Sequence, residues 1–296
     1  MTWDVAEELR GPLGRIPPIA FGSSVARKLF RAAGRLMPAT RVEGVILEVV
    51  KLGGRELRVH RPDAPRSDAA LLWIHGGGYL IGRPVQDDRF CAGTALALGI
   101  TVVAPGYGLA PEHPFPGPLD DCYAAWEWLR GQGFAAGRIA VGGQSAGGGL
   151  AAALVQRLHD EGATPAAQLL LCPMLDDRTA ALPLCDRPVW DNAKNAIGWR
   201  AYLGQEPGAA SLPPYASPAR REDLGDLPPA WIGVGEIDLF LDENRIYAER
   251  LRASGVAAEL LTVPGAPHGF EAWAADSALA RAFVSAARGW LGRALG

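Results

Sequence analysis

The sequence lacks the features that point to nucleic acid or to a membrane span. Its 29 Lys and Arg residues nearly balance 32 Asp and Glu residues, which leaves a formal net charge of -3 and no basic run of the kind that binds DNA. No stretch approaches the roughly 20 apolar residues that a spanning helix needs. We therefore expect no nucleic-acid partner and no stable membrane anchoring.

Cysteine is also scarce, and its spacing fits neither a zinc site nor a dense disulfide framework. Each cysteine lies among apolar neighbours, which is typical of a buried free thiol in a reducing compartment. The four positions are Cys91, Cys122, Cys172 and Cys185. The N-terminal residues carry acids and lack the basic start and apolar centre of a signal peptide. The sequence therefore predicts a cytoplasmic protein.

Apolar residues make up 49% of the chain, and they recur in eight short runs. The first two runs alternate apolar and polar residues on either side of Gly53 and Gly54, as an antiparallel hairpin does. The later six are nearly continuous in apolar character, which is typical of parallel strands buried on both faces. The runs are residues 44–52, 56–61, 70–75, 100–105, 138–143, 167–172, 230–235 and 258–263.

Helical patterns between these runs predict an α/β fold, with a mostly parallel sheet and helices on both faces. Three patterns end at a glycine, where a C-terminal glycine is expected, namely Gly131, Gly162 and Gly255. The patterns cover residues 119–131, 146–162, 241–255 and 277–295.

Two segments do not follow the strand–helix alternation. Residues 1–43 precede the first strand, and residues 173–228, rich in Pro, Trp and Asp, separate two strands by more than one helix. We expect both to form a cap over the C-terminal edge of the sheet. Residues 44–296 are then expected to form the main α/β domain, with the cap insertion inside 173–228.

The motif with the most chemical content is Gly143-Gln144-Ser145-Ala146-Gly147, which follows a predicted strand and opens a predicted helix. A serine at such a sharp turn is raised above the sheet, and the residues two before and two after it must be small. Ser145 is therefore the candidate nucleophile. The alternative is an ordinary glycine-rich turn with a capping serine, because short motifs carry false positives.

Donors for a developing oxyanion are predicted in the loop His75-Gly76-Gly77-Gly78-Tyr79. Glycines let backbone amides approach a reacting carbonyl closely. We assign the oxyanion hole to the amides of Gly77 and Gly78 together with that of Ala146. His75 precedes the glycines and is interpreted as structural.

The base and its orienting acid are expected after the last two strands. His268 follows the run 258–263, and Asp238 follows the run 230–235. The order Ser145, Asp238, His268 is that of the α/β-hydrolase triad. Nearby acids compete for the role of Asp238, namely Glu236, Asp242 and Glu243.

These motifs together resemble the hormone-sensitive-lipase-like esterases, also called bacterial family IV. The matching pieces are HGGGY (75–79), YGLAPEHPFP (107–116), GQSAGGG (143–149), GEIDLFLDE (235–243) and PHGF (267–270). The resemblance implies an eight-stranded sheet, a helical cap built from the N-terminus and the segment after the sixth strand, and a serine carboxylesterase acting on short-to-medium acyl esters. It implies no metal and no organic cofactor. Gln144, Gly108 and Leu239 depart from the family pattern.

Less follows for the substrate pocket. Six aromatic residues are candidates for its walls, although core or cap packing is the alternative for each. They are Tyr79, Phe240, Phe270, Trp190, Trp199 and Tyr202. A lactone, amide or carbamate hydrolase with the same triad remains an alternative, as does a non-catalytic ligand-binding protein on the same fold. Homodimerisation through a sheet edge or the cap is open.

Overall fold

The fold is built on one eight-stranded sheet with the strand order β1-β2-β4-β3-β5-β6-β7-β8. The structure is a computed structural model that describes residues 3–17, 20–183 and 186–296. The strands are β1 (Val45–Leu52), β2 (Arg55–Pro62), β3 (Ala70–Ile74), β4 (Thr101–Pro105), β5 (Ile139–Gln144), β6 (Ala167–Leu171), β7 (Ala230–Gly235) and β8 (Ala258–Val263). Each contains most of one predicted run, so the predicted α/β fold is confirmed.

Strand direction follows the apolar pattern. The alternating strands β1 and β2 pair antiparallel, and β2 also pairs antiparallel with β4. All later pairings are parallel. The central strands β3, β5, β6 and β7 are buried along their whole length. The carboxyl ends of these parallel strands therefore share one edge, where their loops meet.

Helices cover both faces of the sheet. The α-helices are α1 (Glu7–Leu13), α2 (Ser24–Gly34), α3 (Asp88–Leu98), α4 (Gly117–Gly131), α5 (Ala146–Asp160), α6 (Asn192–Leu203), α7 (Leu241–Ala253), α8 (Phe270–Trp273) and α9 (Ala278–Leu295). Residues of α4, α5 and α7 join one hydrophobic core, and residues of α1, α3, α8 and α9 join the other. Adjacent strand residues such as Leu71 and Leu72 point into opposite cores.

One of the three predicted C-terminal glycine caps lies two residues away from its predicted position. Gly162 and Gly255 adopt left-handed backbone angles just after α5 and α7, as expected. Gly131 instead is the last residue of α4, and Gly133 takes the left-handed position with φ 93°. Residues 131 and 133 are both glycines, so the residue type does not indicate which of them takes the left-handed conformation.

The two segments outside the alternation meet above the loop edge. Phe21, from the N-terminal segment, packs edge-on against Trp190 from the second segment with 5.2 Å between ring centroids. The Trp3 indole donates to the Asp186 carbonyl at 3.0 Å. Such contacts agree with a cap, although the division into domains stays a prediction. Cys185 lies outside the described residues, and the other three cysteines are buried free thiols.

No α-helix within the described ranges combines the length and the hydropathy that a membrane crossing demands.

Candidate active site

Ser145 lies at the junction between β5 and α5. Its backbone has φ 55° and ψ -122°, which is a strained conformation for a residue with a side chain. The Ser145 amide donates to the Leu171 carbonyl at 2.8 Å, and the Ser145 carbonyl accepts from Met174 at 3.0 Å. These bonds to the neighbouring strand end hold the strained turn in place.

The glycines that flank this turn are required by close backbone contacts. A Cβ at Gly143 would lie 2.3 Å from the Gly147 carbonyl oxygen, and one at Gly147 would lie 2.1 Å from the Ile74 oxygen. No side chain fits at these distances. The sequence rule that positions two before and two after Ser145 must be small therefore has a steric cause here.

Three side chains form a chain of short hydrogen bonds. His268 Nε2 lies 2.8 Å from Ser145 Oγ, and His268 Nδ1 lies 2.8 Å from Asp238 Oδ2. His268 stands in the loop after β8, and Asp238 stands in the loop after β7. All three residues are at least nine-tenths buried. The arrangement is the geometry of a nucleophile, a general base and an orienting acid.

Asp238 is fixed from its other side. Its Oδ1 accepts the amide of Phe240 at 2.9 Å, so both carboxylate oxygens are engaged. The competing acid Asp242 is on the exposed side of α7, and Glu243 accepts the amide of Leu175 at 2.7 Å. Neither of these two acids bonds to His268.

The charges around His268 favour its protonated form, although its burial opposes protonation. Burial lowers the pKa of His268. The charge and hydrogen bond of Asp238, together with the charge of Glu271, raise that pKa by more than burial lowers it, so the net shift is upward. A raised pKa stabilises the imidazolium that forms when a base accepts a proton. His75 behaves differently, because burial lowers its pKa to about 4 and it stacks on Tyr107 with 4.2 Å between centroids. These contacts agree with the interpretation of His75 as structural.

The triple-glycine loop lies against the serine. A Cβ at Gly76 would lie 3.3 Å from the Ser145 Cβ, and Gly77 and Gly78 have φ of 128° and 61°. Among the described residues, no carbonyl accepts a bond from the Gly77 or Gly78 amide. The amide of Ala146 is at the first position of α5, where helices leave N–H groups free. All three amides are thus free to stabilise an oxyanion.

A cavity of about 430 Å³ opens above Ser145 and His268. The glycine loop and Gln144 line its base, and Trp190, Val189 and Lys194 line it from the second cap segment. Its N-terminal wall was not predicted, because no short motif marks it. These N-terminal lining residues are Leu13, Ile16, Pro17 and Phe21.

Trp190 is the predicted aromatic wall residue that lines this cavity, and the structure corrects the other five positions. Tyr79 stacks on Tyr202 with 3.9 Å between centroids, and Trp199 packs beside both. These three form a cluster behind the glycine loop, since each is at most 1% exposed. An aromatic side chain in the sequence does not reveal which face of its element is buried.

Phe240 and Phe270 are also behind the catalytic groups. Phe240 contacts the His268 ring edge-on with 5.1 Å between centroids, and it is fully buried. Phe270 points into the opposite core, where it packs on Phe283 at 5.0 Å. Phe240 therefore supports the His268 ring, Phe270 packs in the core, and neither residue lines the cavity.

A polar bridge that no sequence motif predicted joins the nucleophile turn to the histidine loop. Gln144 Nε2 donates to Glu271 Oε1 at 2.7 Å, and both side chains are buried. Burial raises the pKa of Glu271. The departure of Gln144 from the family pattern was the signal that could have revealed this bridge.

Cys172 is the third member of this buried group. Its thiol lies 3.8 Å from Glu271 Oε1, and its donor atom lies within 4.8 Å of donors on Asp238 and His268. Burial raises the pKa of the Cys172 thiol well above its ordinary value, and both His268 nitrogens are already engaged. This donor set is therefore poorly suited to a metal, which binds thiolate and free imidazole nitrogen.

The loop around Gly108 is braced from two other elements. A Cβ at Gly108 would lie 2.7 Å from Arg55 Nη2, and the Gly108 amide donates to Asp121 at 2.7 Å. Glu112 pairs with Arg31 of α2 at 2.9 Å. Arg55 thus places a positive charge beside Gly108, and Arg31 places one on Glu112.

Comparison with known proteins decides the family. A family model described as an alpha/beta hydrolase fold matches residues 71–272. The chain is 38% identical over 212 residues to Esterase LipI of Mycobacterium tuberculosis. This alignment covers 69% of this chain and 66% of LipI. This chain belongs to the hormone-sensitive-lipase-like esterases of the α/β-hydrolase family.

Solved structures of such esterases superpose over nearly the whole chain. A bacterial heroin esterase is similar with a TM-score of 0.90 and 37% identity, covering 99% of this chain and 98% of that one. An esterase from the bacterial hormone-sensitive lipase family has a TM-score of 0.81 and 30% identity, covering 98% and 99%. The fold of this chain thus recurs in esterases over nearly their full length.

Proposed function

We propose that this hormone-sensitive-lipase-like esterase is a serine carboxylesterase that hydrolyses short-to-medium acyl carboxylic esters through an acyl-enzyme. The observation that carries the proposal is the pair of 2.8 Å contacts from Ser145 through His268 to Asp238, at the floor of an open cavity. A cavity of about 430 Å³ is near the lower end of the roughly 300–1,000 Å³ typical of ligand pockets, which supports small esters.

In the first half-reaction Ser145 is acylated. His268 Nε2 accepts the hydroxyl proton while Ser145 Oγ attacks the ester carbonyl carbon. The tetrahedral oxyanion accepts hydrogen bonds from the amides of Gly77, Gly78 and Ala146. The bond to the alcohol oxygen then breaks as the imidazolium donates its proton to that oxygen, and the alcohol leaves.

In the second half-reaction water releases the acid. His268 accepts a proton from water, whose oxygen attacks the acyl carbon held on Ser145. The second tetrahedral intermediate collapses with return of the proton to Ser145 Oγ. Asp238 holds the imidazole in the required tautomer throughout and stabilises each imidazolium. The proton that leaves with the alcohol comes from Ser145, and the attacking water replaces it.

The acylation step has a direct test. Purified wild-type protein and Ser145→Ala are assayed with p-nitrophenyl acetate and p-nitrophenyl butyrate, and both are treated with a fluorophosphonate probe. We expect the variant to lose activity by roughly 10⁶ and to lose labelling. Turnover by Ser145→Ala close to wild type would contradict the proposal. Wild-type protein that neither labels nor turns over would favour a non-catalytic binding protein.

Substrate range is tested separately. A series of p-nitrophenyl esters with acyl chains from C2 to C12 should give its highest kcat/KM at the short-to-medium end, because the described cavity is small. A panel with lactones, amides and carbamates distinguishes the alternative chemistries that share the triad. Higher kcat/KM for one of these classes than for any ester would replace the proposed substrate class.

We also propose a cytoplasmic location, which the buried free thiols Cys91, Cys122 and Cys172 support. We further propose a homodimer through a sheet edge or the cap. Light scattering on the purified protein tests this assembly.

A further inference from the structure

Helix α2 (Ser24–Gly34) is amphipathic, but its apolar side faces solvent. Val25 and Leu29 lie one turn apart on this helix and are 64% and 66% exposed, with Phe30 beside them at 38%. Leu36 and Met37 follow just after the helix ends and are 86% and 49% exposed. We define these five residues as the α2 stripe. No residue of α2 is buried, so the helix contributes nothing to either core.

The cationic side of α2 instead faces the protein. Arg31 donates to the carbonyls of Leu80 at 2.7 Å and Ala110 at 2.6 Å, and it pairs with Glu112 at 2.9 Å. Arg27 donates to the Phe21 carbonyl. Guanidinium contacts therefore fix the orientation of the helix and hold the stripe outward. Soluble proteins normally place these two faces the other way round.

Charge around the stripe has one sign. Residues 20–41 contain five Lys or Arg and no Asp or Glu, although the whole chain carries a net charge of -3. Lys28 on α2 and Arg35 at its C-terminal cap are exposed beside the stripe. Two copies of such a face would repel each other through these cations. A surface that is negatively charged and has an apolar interior complements both features.

The N-terminal end of the stripe also lies a few residues from a wall of the catalytic cavity. Phe21, three residues before α2, lines that cavity and packs on Trp190 at 5.2 Å. A Cβ at Gly22 would lie 3.8 Å from Ile197 of α6, which places the start of α2 beside the second cap segment. A surface docked on the stripe would thus lie next to the cavity opening.

We propose that the α2 stripe, with Lys28 and Arg35 beside it, is a reversible docking surface for anionic phospholipid bilayers. The apolar residues insert among the acyl chains near the headgroups, and the two cations contact lipid phosphates. Docking of this kind is peripheral and differs from stable anchoring by a spanning helix. It would bring the cavity opening to membrane-dissolved esters.

Vesicle flotation tests the proposal with the full chain. Wild type, Leu29→Glu/Leu36→Glu and Lys28→Ala/Arg35→Ala are mixed at low salt with vesicles of phosphatidylcholine alone or with added phosphatidylglycerol. Ile246→Glu is the matched control, because Ile246 is 55% exposed on α7, outside the stripe. Hydrolysis of p-nitrophenyl butyrate in solution shows that each variant is folded, since none of these residues lines the catalytic cavity.

We expect wild type and Ile246→Glu to float with the anionic vesicles only. The Leu29→Glu/Leu36→Glu variant should lose binding by about ten-fold or more, and the Lys28→Ala/Arg35→Ala variant by a similar factor. Failure of wild type to float with anionic vesicles would overturn the proposal. So would equal loss in Ile246→Glu, or equal binding to both vesicle types. A dimer that Leu29→Glu/Leu36→Glu dissociates, without vesicle binding by wild type, would show that the stripe joins two copies.

Discussion

The loops at the sheet edge and the segments that cover them are held by different forces. Around Ser145 the constraints are close backbone contacts, since a Cβ at Gly147 would lie 2.1 Å from the Ile74 carbonyl oxygen and no added atom fits. Above it the contacts are side-chain packing, such as Phe21 on Trp190 at 5.2 Å. The geometry around Ser145 is therefore set by the backbone, whereas the substrate range is set by side-chain packing in the covering segments, which can vary.

After the loss of Ser145 itself, the largest effect should come from removing the orienting charge at the sheet edge. Asp238→Asn keeps the shape of the side chain but favours the wrong tautomer of His268, so kcat should fall by roughly 10⁴. Asp242→Asn is the control, because its side chain is 84% exposed. Steady-state kinetics on an activated ester measure both. Equal kcat values in the two variants would show that Asp238 does not serve His268.

A second prediction concerns Gly78, where the two regions touch. A Cβ at Gly78 would lie 2.2 Å from the Trp190 ring. The backbone φ of Gly78 is 61°, which disfavours any residue with a side chain. Gly78→Ala should lower kcat by about 10²–10³, because it displaces an oxyanion amide. Trp190→Ala in the same chain should restore part of that loss by removing the clash. Additive effects in this double-mutant cycle would mean that the two regions act independently.

Trp190 and Trp199 offer a matched pair within the cap. Trp190 lines the cavity, so Trp190→Ala should raise KM and alter the preference among acyl chains. Trp199 is fully buried beside Tyr79, so Trp199→Ala should lower the free energy of unfolding by about 3–5 kcal/mol. Kinetics and urea denaturation separate the two. A stability loss from Trp190→Ala as large as that from Trp199→Ala would remove the distinction.

The smallest expected effect is on pH dependence. The charge of Glu271 helps to raise the pKa of His268, although burial and Asp238 are the larger influences. Since a base must be unprotonated to act, activity rises as pH increases through this pKa. Glu271→Gln should therefore move the acidic limb of the kcat/KM profile to lower pH. Glu249→Gln is the control, because Glu249 is on the exposed side of α7, and it should leave the profile unchanged. An acidic limb that does not move in Glu271→Gln would show that Glu271 does not affect the pKa of His268.

Much of the sheet and the candidate triad could be predicted because each leaves a local pattern. Buried parallel strands read as continuous apolar runs, and Ser145, Asp238 and His268 each follow such a run. The positions of Tyr79, Trp199 and Phe270 could not be predicted, because burial depends on neighbours distant in the chain. The Gln144–Glu271 bridge joins residues 127 positions apart, a distance that no sequence periodicity spans.

The outward face of α2 could not be predicted for a related reason. Its residues have the spacing of an ordinary core-facing helix, and only the contacts of Arg31 with Leu80 and Ala110 reveal which side faces the protein. Amphipathic spacing therefore predicts a helix but not its orientation.

The central claim is that Ser145 forms the acyl-enzyme, and its most direct measurement is intact-protein mass spectrometry after mixing with a p-nitrophenyl ester, followed by peptide mapping. The account predicts one added acyl group per chain on the peptide that contains Ser145, absent in Ser145→Ala and persisting longer in Asp238→Asn. An acyl group on another residue, or ester hydrolysis by Ser145→Ala at the wild-type rate, would contradict it.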